Sequence, residues 1–140
     1  MDKLLIGNSY RDYRYLYELL GTKYLRIEQW DSSITYLQQV PTKFLITQNI
    51  YPYIENRNPF NEEWITNKRQ GKYNLPQSPS KAYDKKTTKL QFCKIMKQLQ
   101  WDMDSASSSK QRAGSRYAYA VAMYQAMCGK CWALTEYYHS

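Results

Sequence analysis

Tyr13-Arg-Tyr-Leu16-Tyr17-Glu-Leu-Leu20-Gly21-Thr-Lys-Tyr24 is the stretch on which the reading of this chain turns. Tyr13, Leu16, Tyr17, Leu20 and Tyr24 recur at i, i+3, i+4, i+7 and i+11, which is one face of an amphipathic helix. The spacing predicts a helix over about Tyr10–Ile27, with Ser9 as N-cap and Asp12 in the first turn, where an acid meets the positive end of the helix dipole. Asp31 is placed to cap a second helix carrying Ile34, Leu37 and Val40. Pro41 ends or kinks that helix, because proline disfavours a helical conformation in the residue before it. Two antiparallel helices joined by a short turn follow. Gly21 would let the second helix cross close to the first, Ser33 would be the small residue at the crossing, and the aromatics would fill the gaps on either side.

Outward from this hairpin the signals vary in strength. Thr42–Ile50 fits either a short helix or a strand. Tyr51–Lys86 holds Pro52, Pro59, Pro76 and Pro79 among Asn, Ser and Gln, the composition of a long irregular connection. A short helical turn can start at Asn58-Pro59, with Glu62 and Glu63 in its first turn, while Gly71–Asp84 is assigned no structure. Thr87 or Thr88 can cap the next helix, whose Phe92, Ile95, Met96, Leu99 and Met103 repeat the helical spacing while Lys94 and Lys97 project elsewhere. Ser105–Lys110 reads as a turn between helices. Tyr117–Cys128 is apolar on nearly all sides, which marks a helix surrounded by protein. It is expected to run through the centre, between the Phe92–Met103 face and the first hairpin, with Tyr119, Met123, Ala126 and Met127 buried. Gly129 breaks it before Cys131–Leu134.

The fold class expected is all-α, a compact bundle of helical hairpins interrupted by one long connection. The 140 residues form a single domain, divided into a hairpin over 8–41, the connection over 51–86 and a C-terminal helical pair over 87–138. With 43% apolar and 23% charged residues the composition is that of a folded chain, not a disordered tail. The longest strongly apolar run, Tyr117–Cys128, is too short for a transmembrane helix, which takes about 20 residues. Gly7-Asn-Ser9 follows Met1–Ile6 too soon for a signal-peptide core. Three cysteines are too few for a disulfide framework, which leaves stability to the core and the redox compartment open.

Charge is uneven. Lys68, Arg69, Lys72, Lys81, Lys85, Lys86, Lys89, Lys94 and Lys97 face one acid, Asp84, between Asn67 and Gln98, and the rest of the chain is neutral overall. Such a segment is either a polyanion-binding footprint or a solvated loop running into a helix face. With Tyr73, Tyr83 and Phe92 it supports a nucleic-acid reading, lysines on phosphates and aromatics on bases. Phe92 belongs to the apolar helix face, however, which argues against direct base reading.

The residue types at Tyr17, Leu20-Gly21, Tyr24, Ser33, Leu37 and Val40 resemble the tetratricopeptide repeat. Pro41 comes about four residues before that pattern's closing proline, and any amphipathic hairpin shares part of the signature. More specifically, Leu20–Tyr24, Ile34–Pro41, Asn58-Pro-Phe60 and Gly129–Tyr137 look like the large tetratricopeptide-like lipoproteins of Bacteroidetes-type gut bacteria, a family of unknown function. Its members are several times longer, so the resemblance implies a fragment, periplasmic or on the cell surface, whose export signal was left behind. A complete chain would instead be cytoplasmic. The resemblance carries over no catalytic residue.

Chemical motifs are sparse. Cys128-Gly-Lys-Cys131 is a C-x-x-C, but too little chain follows it for a thioredoxin-like site. Cys93, Cys128, Cys131 and His139 have the ligand types of a Cys3His zinc site, yet lack a second paired motif, and two small core cysteines bracketing a helix break are the simpler explanation. His139 is the sole histidine, which undercuts any Ser-His or Cys-His nucleophile pair. No phosphate-cradling glycine loop, metalloprotease motif or calcium loop is present, and Glu62-Glu63 beside Trp64 reads as a helix start. The expectation is no catalytic site, no cofactor and no metal. The function expected is that of a non-enzymatic binding or scaffold module with protein partners, either other chains or further parts of a longer protein. A small basic nucleic-acid-binding protein is the alternative.

Overall fold

The computed structural model describes residues 12–55, 57–60 and 87–137. These residues are mostly helical and contain no strand. They form α1 (Tyr13–Arg26), α2 (Trp30–Leu37), α3 (Thr42–Thr47), a 3-10 turn (Tyr51–Tyr53), α4 (Lys89–Ser105), α5 (Ser109–Met127) and a second 3-10 turn (Trp132–Thr135). No helix among the described residues is long and apolar enough to cross a membrane.

Local chemistry explains most boundaries. Asp12, expected in the first turn, is itself the N-cap of α1, its carboxylate accepting from the Arg14 N–H at 2.8 Å. The expected cap Ser9 lies outside the described residues. α1 ends in a tight turn in which Gln29 N–H reaches Tyr24 O, and Glu28 takes the left-handed conformation at φ 60°. α2 starts two residues earlier than expected: Gln29 occupies the N-cap without a side-chain hydrogen bond, and Asp31 sits in the first turn. Thr42–Thr47 resolves as a short helix with Pro41 at its N-cap, so the proline opens α3 four residues after α2 has closed. Of the two threonines, Thr88 caps α4 in a full capping box with Gln91. Thr87 pairs instead with Glu55 in an isolated antiparallel bridge that pins together the two ends of the long connection.

α1 and α2 pack as a helical hairpin around Gly21. Ser33 Oγ donates to Gly21 O at 2.6 Å, and Leu37 lies against the bare α-carbon. α4 then packs on α2 with one side and on α5 with the other, and the second 3-10 turn folds back from α5 onto α1. α4 is therefore the central helix, with Phe92, Cys93 and Met96 wholly buried. Trp30 and Phe60 meet the Phe92 ring from two sides, at centroid distances of 5.9 and 5.8 Å. A smaller cluster of Tyr15, Phe44 and Ile50, with Leu19 and Val40 against it, holds α3 to α1.

The expectation for Tyr117–Cys128 is overturned in part: Ala126 is buried as expected, but the helix is not covered all round. α5 buries one face, Ala118, Val121, Ala122, Gln125 and Ala126, against its neighbours. Its opposite side is open: Tyr119 and Met123 are only half-buried, and Tyr124 and Met127 are 54% and 45% exposed. An apolar circumference permits burial on every side but does not supply neighbours, and α5 lies at the edge of the bundle.

Candidate binding surfaces

The basic segment divides on inspection. Lys68, Arg69, Lys72, Lys81, Lys85 and Lys86 lie outside the described residues, as do Tyr73, Tyr83 and the Glu62-Glu63-Trp64 group. Lys89, expected at a polyanion-binding surface, is buried. Its ammonium donates to Glu18 Oε1 at 2.5 Å, to Thr22 Oγ1 at 2.9 Å and to the Glu136 carbonyl, which uses all three N–H groups. Burial pulls the Lys89 pKa down, and the Glu18 carboxylate opposes that shift. A charge enclosed in this way cannot meet a phosphate. It joins α1, α4 and the segment that follows the second 3-10 turn. A partly open cleft of about 70 Å³ lies beside the pair, lined by Leu37, Val40, Leu45, Ile50, Tyr53 and Leu90 among others.

Lys94 and Lys97 are exposed on α4, with Gln98 and Trp101 on the same side. Trp101, 63% exposed, had no place in the expected site, although its i+7 spacing from Lys94 puts it there. The surroundings are not basic, since Lys97 pairs with Asp31 at 2.6 Å and Asp102 and Asp104 follow on the same helix.

The residues matched to the repeat pattern do come together. Gly21, Ser33 and Leu37 form the buried crossing, and Leu20 and Val40 are half-buried. Tyr17, Tyr24 and Tyr36 make an aromatic row along the same seam. The Tyr36 ring lies 5.9 Å from Tyr17 and 5.7 Å from Tyr24, nearly parallel to the latter, and Tyr13 continues the row at 6.5 Å from Tyr17. Tyr13 is 61% exposed and the other three are partly exposed, so the row is open to a partner along about three turns of α1.

The cysteines separate. Cys128 is exposed, whereas Cys131 and Cys93 are buried in the core, and all three are free thiols. Burial pushes both core thiols up to about 12, against a hydrogen bond between Ser33 and Cys93 at 3.1 Å that works the other way. His139 is outside the described residues, among which no group of three or more His, Cys, Asp or Glu side chains could hold a metal ion.

Tyr119 links α5 to the first hairpin. It accepts from Trp30 Nε1 at 2.9 Å and donates to Glu28 Oε1 at 2.7 Å. Burial, then the adjacent Glu28, raises the phenol pKa, which keeps the donor protonated. Compared with known proteins, the chain matches no family model, no curated protein and no solved structure.

Proposed function

We propose that this chain is a non-enzymatic binding or scaffold module, built on a tetratricopeptide-like hairpin, whose partners are proteins. The observation that carries the reading is the open tyrosine row Tyr13, Tyr17, Tyr36 and Tyr24 at the helix crossing. Tyrosine is enriched at protein interfaces because it offers a large, rigid contact area with a polar tip at low entropic cost. Support also comes from where the ionisable groups have gone: Lys89 is paired with Glu18 inside the fold, and the core thiols are held protonated.

A displayed peptide library panned on the folded chain tests the reading. Enriched peptides should lose binding to Tyr36→Ser and Tyr17→Ser variants that melt like the parent. The same protein should bind oligonucleotides weakly and release them by about 0.2 M salt, since phosphate contacts are lost with counterion competition. No enrichment over a helical control, or tight oligonucleotide binding at that salt, would overturn it.

A further inference from the structure

The exposed side of α5 carries two features that the hairpin does not account for. Ala113, Ala120 and Met127 recur at intervals of seven residues, with Tyr124 beside them, and all four are exposed. They form a straight apolar stripe about 21 Å long, at 1.5 Å per residue. A seven-residue repeat of apolar positions on one helix is the seam that a second helix packs against. The alanines at two of these positions leave room for large side chains from such a partner.

The second feature is charge. Lys110, Arg112, Arg116 and Lys130 stand without a single acid between Ser105 and Thr135. The remaining described residues balance, eight bases against eight acids, so the segment 105–135, with three of its four bases on α5, holds all the net positive charge of the described structure. Arg112 is engaged with the Met103 and Ala106 carbonyls at the end of α4. Lys110 and Arg116 border the stripe on opposite sides by helical spacing, and neither forms an ion pair with a carboxylate among the described residues. The first turn of α5 also contains no acid, leaving the positive end of its dipole uncompensated.

We propose that this face of α5 docks an acidic amphipathic helix of a partner protein. The proposal rests on the reading of the chain as a binding module and adds the chemistry of one partner. A second copy of the chain fits poorly, because it would bring like charges together along the seam. An anionic bilayer also fits poorly, since two alanines offer little apolar depth to insert.

The test uses two three-heptad peptides with leucine at a and d, one carrying Glu and the other Lys at e and g, followed by fluorescence anisotropy. The acidic peptide should bind and gain helicity, with affinity falling at higher salt. Arg116→Glu and Ala120→Gln, both on the solvent side, should each weaken it at least tenfold while the melt stays unchanged. Tyr36→Ser should leave it unaffected, which separates failure here from failure of the tyrosine row. Equal binding of both peptides, no binding of the acidic one to a folded chain, dimerisation through this face on sedimentation, or binding to anionic vesicles that Ala120→Gln does not disturb would each overturn the proposal.

Discussion

At Gly21 the absence of a side chain is what admits Leu37. A β-carbon there would overlap Leu37 Cγ and come within 2.5 Å of Cδ2, and neither atom can retreat easily because Leu37 is itself buried. Alanine would gain helix propensity of about 1 kcal/mol but would overpack the crossing at a cost of about 1 to 3 kcal/mol. Gly21→Leu should therefore lower the melting temperature sharply and Gly21→Ala slightly, and Gly21→Ala and Leu37→Ala together should cost less than the sum of their separate losses. An unaltered melt for Gly21→Leu would remove the close crossing from the fold. At Lys89 the issue is charge. Replacing it with Met strands the Glu18 carboxylate in the core, and breaking a buried pair costs about 3 to 5 kcal/mol. The Lys89→Met/Glu18→Leu double variant should be more stable than either single one, and chemical denaturation would measure the difference.

Among the elements, α4 and α5 exchange the places that their sequences suggest. α4 has charged residues and yet lies at the centre, because its apolar face is met by α2 and its flank by α5. α5 is the more apolar by inspection, and lies at the edge. Two alanines two residues apart separate its faces: Ala122 is fully buried and Ala120 exposed. Ala122→Arg should leave a desolvated charge in the core and abolish cooperative folding, while Ala120→Arg should fold with a near-parental circular dichroism melt. Similar melts for both would mean that the burial pattern of α5 is wrong.

For the whole molecule, closure depends on the turn after α5. Leu134 is fully buried, and Arg26 holds the same segment by donating to the Thr135 carbonyl and pairing with Glu136 at 3.4 Å. Leu134→Ala should cost about 2 to 5 kcal/mol, read from the denaturation midpoint, and should do so cooperatively because α1 and α5 both pack on this turn. Thiol chemistry gives a second global readout. At pH 8 a thiol reagent should modify Cys128 at once and reach Cys93 and Cys131 only at the rate of unfolding. Both buried thiols have their pKa raised to about 12, so the stability gained by keeping them protonated is full below the unfolded thiol value near 8.5. It is lost as pH climbs from there toward 12, whereas Cys93→Ala/Cys131→Ala should show a shallower alkaline decline.

What the sequence determined on its own was local: the helical period of α1 and α4, a threonine cap at 87 or 88, and the Gly21–Ser33 crossing, all set by neighbours within a turn or by one short hairpin. The all-α class followed from these. Tertiary structure decided what lies beyond local reach. Lys89 reads as one more base in a basic run until Glu18, 71 residues away, encloses it. Periodicity reports which face of a helix can be buried, and the burial of α5 on one side only depends on how many elements remain to cover it. Likewise pairing across the fold removes Lys89 and Lys97 from the basic set, while nothing among the described residues brings an acid to Lys110 or Arg116.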